Sequence, residues 1–130
     1  MEITVKEFKQ TELITVKGRM DSVEASRLVQ VLETANARGT YKLVVDMSQL
    51  EYMSSAGFRA LALAQQNSKR HDRGEVVLAQ VPDHIREALE LVGLAEYFNM
   101  FDNVTSALEF AANLQAGDSR TDGPPPHPKK

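Results

Sequence analysis

The 130-residue sequence contains no cysteine. Disulfides, thiol catalysis and zinc sites built on thiolates are therefore excluded. It also lacks an excess of positive charge. Lys and Arg number 15 against 18 Asp and Glu, a net charge of −3, so nothing supports the basic patch or stripe that nucleic-acid binding needs. No apolar run approaches the roughly 18 residues of a membrane span, and "MEITVKEFKQ" has no charged segment followed by an apolar one, as a signal peptide would. A soluble cytoplasmic domain without membrane insertion is expected, and the missing cysteine fits a reducing compartment.

The elements of catalysis are equally sparse. The three histidines, His71, His84 and His127, are scattered along the chain, so no metal site is expected. The dipole at a helix C-terminus accounts for His71, the first turn of an exposed helix for His84, and the tail for His127. Gly57 and Gly74 stand alone rather than in a phosphate-cradling spacing. The run Met53-Ser54-Ser55-Ala56-Gly57 lacks the glycine that precedes the serine in a hydrolase nucleophile elbow. The chain reads as a non-enzyme.

What is present is the ordinary material of a globular domain: 42% hydrophobic and 25% charged residues, in a length suited to one core. Ile3, Val5 and Phe8 mark a first strand, and Leu13 to Val16 a second, closed by Gly18. Asp21 and Glu24 have capping-box spacing. Behind them Ala25, Leu28, Val29, Leu32 and Ala35 recur at helical intervals up to Gly39. The strand Lys42 to Asp46 holds a continuous Leu-Val-Val run, the mark of burial on both faces.

A helix follows the serines to about His71, with Gly74 as its stop. Val76 to Leu78 form a strand, and Pro82-Asp83 open a helix carried by Ile85, Ala88, Leu89 and Val92 and stopped by Gly93. A last strand at Tyr97 to Phe101 leads into a helix with Val104, Ala107, Leu108 and Ala111 on one stripe. Two strands and then alternating helices and strands predict an α/β fold with mostly parallel strands. The domain is expected over residues 1–114. From 115 on, "QAGDSRTDGPPPHPKK" has almost no large apolar side chain and reads as a disordered tail, with "PPPHP" also open to a polyproline-ligand reading.

Two serines stand where a helix begins. One would suffice as an N-cap, contributing about 1 kcal/mol. The small pair Ala56-Gly57 leaves the backbone N–H groups open to close approach. The carboxyl end of a strand in such a sheet is also where α/β folds place ligands and partners. Capping and modification both remain open readings of these hydroxyls. Phe58, one turn on, is either core or part of a contact patch.

"VVDMSQLEYMSSAGFRAL" resembles the signature of the STAS domain, the fold of bacterial anti-sigma factor antagonists. The resemblance covers residues 2 to 114 and includes "GRMD" after the second strand and "LVGL" at Leu91 to Leu94. It implies a mixed, mostly parallel sheet of about five strands packed with about four helices. It implies Ser55 as phosphoacceptor, Asp46 as the strand-end Asp, and Asp21 as the acidic residue near the phosphosite, with Gly57 as the glycine after it. Many members carry Asp directly before the acceptor. This chain carries Ser54, which makes Ser54 a rival acceptor and, with Ala56 and Phe58, a candidate contact for a partner.

The implied function is an anti-sigma factor antagonist. Unphosphorylated, it would bind an anti-sigma factor that is also a serine kinase and so release the sigma factor. The kinase would use its own ATP, leaving this chain without a cofactor, and a serine phosphatase would reset the switch. The alternative within the family is a STAS docking subunit of a transporter or signalling assembly without phospho-switching.

Overall fold

Val44, Val77 and Ala79 on one face of a sheet, and Leu43, Val45, Val76 and Leu78 on the other, are all 0% exposed. The central strands are thus buried on both sides, as the uninterrupted apolar runs require. The computed structural model describes residues 1–71 and 73–114. The tail and His127 lie outside the described residues.

The elements are β1 (Glu2–Phe8), β2 (Thr11–Met20), α1 (Ser22–Ala37), β3 (Lys42–Met53), α2 (Ser55–Lys69), β4 (Glu75–Ala79), α3 (Asp83–Leu91), a short 3-10 turn (Ala95–Tyr97), β5 (Asn99–Phe101) and α4 (Val104–Ala112). The sheet runs in sequence order, β1-β2-β3-β4-β5. β1 is antiparallel to β2, and the other pairings are parallel. The five-stranded, mostly parallel sheet with four helices is the expected fold.

The helices divide unequally. Leu28 and Leu32 of α1, Phe58 and Leu61 of α2, and Ile85 and Leu89 of α3 fill the larger core on one face. On the other face Ala107 and Ala111 of α4 pack on Val44, Val77, Ala79 and Phe101. Inside the larger core Gln65 is fully buried. Its amide donates to the carbonyls of Val76 and Tyr97 and accepts from the Val76 N–H at 2.7 Å, so every polar atom of that side chain is matched.

Four boundaries differ from the sequence reading. β2 continues through Gly18, which holds φ +95° inside the strand, a backbone state open to glycine at no steric cost. β3 continues seven residues past Asp46 because β2 goes on pairing with it to Met53. Helix α2 ends at Lys69 rather than His71. The last strand starts at Asn99, because the Tyr97 N–H is taken by Leu94 O in a local turn.

Candidate functional site

β2 and β3 outrun the rest of the sheet. The β3–β4 pairing ends at Asp46 and Ala79, whereas β2 and β3 stay paired to Met20 and Met53. In this extension the register slips twice, between Thr15 and Lys17 and between Gly18 and Arg19, and each slip adds one residue to β3. Such bulges bend and twist a strand and are common beside functional sites. The extension is held to α3 by His84, whose Nε2 donates to the Glu51 carbonyl at 2.8 Å.

At the tip the two chains leave the sheet together. The Ser54 N–H donates to the Met20 carbonyl at 2.8 Å, which sets Asp21 and Ser54 side by side as the first residues beyond the paired strands. Both are helix N-caps. Asp21 Oδ1 accepts from the Glu24 N–H at 2.9 Å to open α1. Ser54 Oγ accepts, at a long 3.4 Å, from the Gly57 N–H to open α2.

This geometry separates the two serines. Ser54 is half-buried and occupied as a cap; Ser55 is the first helical residue and is exposed. Its hydroxyl stands at the positive end of α2, where the first N–H groups have no intrahelical acceptor. Asp21 is exposed and lies at the same end of the sheet.

Asp46 does not reach this site. It is not at a strand end, because β3 continues beyond it. Its β2 partner Thr15 and the β2 partner of Met53, Met20, are separated by roughly 16 Å at about 3.3 Å per residue. Asp46 instead organises the place where β4 ends, accepting from the Ser48 N–H at 3.0 Å and from Gln80 Nε2 at 3.1 Å.

Phe58 is 7% exposed and belongs to the larger core, so its place is the core reading and not an exposed contact patch. Helical phase explains this: Phe58, Leu61, Ala64, Gln65 and Ser68 form the buried stripe of α2. Ala56 is half-buried beside the two serines. Gly57 is buried, and a Cβ there would lie 2.5 Å from Met53 Cγ and 2.9 Å from Met20 Sδ. Gly57 thus serves close packing rather than the expected backbone access, and the side chains of Met20 and Met53 set how closely α2 seats on the strand ends. Their only sequence signal is an apolar residue directly before each cap.

The site presents a hydroxyl, a helix N-terminus and a carboxylate. Among the described residues, no three His, Cys, Asp or Glu side chains group to hold a metal ion, and no helix is long and apolar enough to cross a membrane.

The family model described as Mlab, STAS domain matches residues 3–102. BtrV of Bordetella bronchiseptica, named as an anti-sigma factor antagonist, is 30% identical over 98 residues, which is 75% of this chain and 84% of BtrV. The Bacillus cell fate determinant SpoIIAA, solved in its phosphorylated form, superposes with a TM-score of 0.69 at 16% identity over 84% of this chain and 98% of its own. A sulfate transporter family protein from Wolinella succinogenes superposes with a TM-score of 0.68 at 25% identity, over 81% of this chain and 87% of its own.

Proposed function

The chain belongs to the STAS domain family, and we propose that it is a cytoplasmic anti-sigma factor antagonist switched off by phosphorylation of Ser55. In the unphosphorylated state the tip of β2 and β3, with the start of α2, docks on an anti-sigma factor that is also a serine kinase, and the sigma factor is released. The kinase transfers phosphate from its own ATP to Ser55. The complex then weakens, and a serine phosphatase restores the hydroxyl.

One observation carries this reading: Ser54 is engaged as the cap of α2 while Ser55 is exposed on its first turn. The hydroxyl at Ser55 can be modified without dismantling the helix start. The phosphate would lie at a helix N-terminus, where an anion is favoured by about 0.3–1 kcal/mol. Modification is therefore compatible with the fold, and its consequence falls on the partner surface.

The test is incubation with a candidate anti-sigma kinase and ATP, followed by mass-spectrometric site mapping. Label on Ser55 supports the proposal. Label confined to Ser54, or none with any kinase that binds the chain, refutes it. The likeness to a transporter-family protein supports a second reading, a docking subunit without a phospho-switch. That reading expects tight binding to a permease partner and equal affinity for Ser55→Asp and the unmodified chain.

A further inference from the structure

β1 is an edge strand. Among the described residues it pairs with β2 alone, and six of its seven residues are exposed, Ile3 being half-buried. The opposite edge, β5, is three residues long and buried throughout. β1 has no proline, and its register with β2 is unbroken from Glu2 to Phe8, so neither a missing N–H nor a bulge blocks a further strand. Charged side chains are the remaining defence of an edge, and here their order matters.

The strand reads Glu2-Ile3-Thr4-Val5-Lys6-Glu7-Phe8. Glu2, Thr4 and Lys6 share one face, and Ile3, Val5 and Glu7 share the other. A two-fold axis through Thr4, perpendicular to the sheet, lays two such strands antiparallel. Glu2 of each copy then faces Lys6 of the other, and Ile3 faces Val5. With the axis at Val5, Glu2 would face Phe8 and Ile3 would face Glu7. With the axis at Ile3, Lys6 would have no opposite residue. Of these registers the Thr4 one alone sets Glu2 against Lys6 and Ile3 against Val5, with Glu7 opposite Met1 and Phe8 beyond the paired stretch.

We propose that two copies of this chain associate through β1, antiparallel about Thr4, to form one sheet running through both. Opposed side chains in such a pair are close enough to interact directly, and a two-fold makes each contact occur twice. Val5, 42% exposed in the single chain, lines an open groove with Val31 of α1 and gains cover from Ile3 of the second copy. The existing contact of Glu2 with Lys17 at 3.6 Å is solvent-exposed, and exposed pairs exchange partners at little cost.

The charge order makes the test specific. Sedimentation velocity on the full chain, over a hundredfold range of concentration at low salt, is expected to show a monomer–dimer equilibrium that weakens as salt rises. Lys6→Glu and Glu2→Lys each place like charges opposite one another and should associate at least tenfold more weakly. Mixed in equal amounts, the two variants again oppose unlike charges and should form a heterodimer about as tight as the wild type. Melting temperatures near wild type for both variants exclude unfolding as the cause. A wild type that stays monomeric throughout, variants that associate as tightly as the wild type, or a mixture no tighter than its components would each overturn the proposal.

Discussion

Met53 occupies the space that a side chain at Gly57 would need: a Cβ there would stand 2.5 Å from its Cγ, with Met20 Sδ at 2.9 Å. The start of α2 therefore seats directly on the ends of β2 and β3, and the position of Ser55 is set by methionine packing below it. Gly57→Ala brings better helix propensity but forces both methionines aside. Overpacking of this kind costs about 1–3 kcal/mol, more than the roughly 1 kcal/mol that alanine returns over glycine in a helix. The variant is expected to melt below the wild type and to be phosphorylated more slowly at Ser55. A melting temperature at or above the wild type would show that the methionines yield freely.

The two serines should separate in stability measurements. Ser54→Ala removes the cap of α2 and is expected to cost about 1 kcal/mol, a fall of about 4 °C for a domain of this size. Ser55→Ala removes an exposed hydroxyl and should melt within about 1 °C of the wild type, since such surface changes stay within about 0.5 kcal/mol. It should resist phosphorylation and still bind the partner. Equal destabilisation by both substitutions would contradict the division of roles.

Phosphorylation should act on binding and not on folding. A phosphate adds about −1.5 to −2 charge, taking the net charge from −3 to about −5. At the partner surface an unpaired buried charge costs several kcal/mol. Ser55→Asp and the phosphorylated chain should keep the wild-type melting point and bind the kinase partner at least tenfold more weakly. Calorimetry giving equal affinities for the two forms would end the switch mechanism.

Phe58→Ala tests the placement of Phe58 in the core. At 7% exposure the truncation should cost about 3–5 kcal/mol, read by urea denaturation with an unchanged slope. A loss below about 1 kcal/mol together with weakened partner binding would restore the contact-patch reading.

Glu12 is 2% exposed, and its carboxylate accepts from Arg38 at 2.6 Å. That hydrogen bond raises the Arg38 pKa above its ordinary value. Arg38→Ala would leave the Glu12 carboxylate without this partner and is expected to lower the melting temperature. Adding Glu12→Gln should recover part of that loss, because the unpaired charge is then gone. Additive losses in the double variant would show that the pair is not coupled.

Much of this was legible in local sequence. Asp21 and Glu24 announced the start of α1 because a cap is a contact over three residues. The Leu-Val-Val run announced a strand buried on both faces because it shows no alternation. The segment Met47 to Met53 was not legible as a strand. Its core residues Met47, Leu50 and Met53 recur every third position, since each register slip against β2 inserts one residue into β3. A strand with two bulges loses the period of two by which strands are recognised. Only β2, far away in sequence, reveals the pairing.

The candidate site divides the same way. Sequence alone determined that two hydroxyls stand where a helix begins and that small residues follow them, because those are matters of composition and spacing. Tertiary structure decided that Ser54 is the cap and Ser55 the exposed residue. It also decided that Phe58 points into the core and that Asp46 lies far from the serines it was expected to support. Each of these depends on where β3 ends and on the rotational setting of α2 against the sheet. Both are set by packing between residues distant in the chain, above all Met20, Met53 and Gly57, which no local pattern specifies.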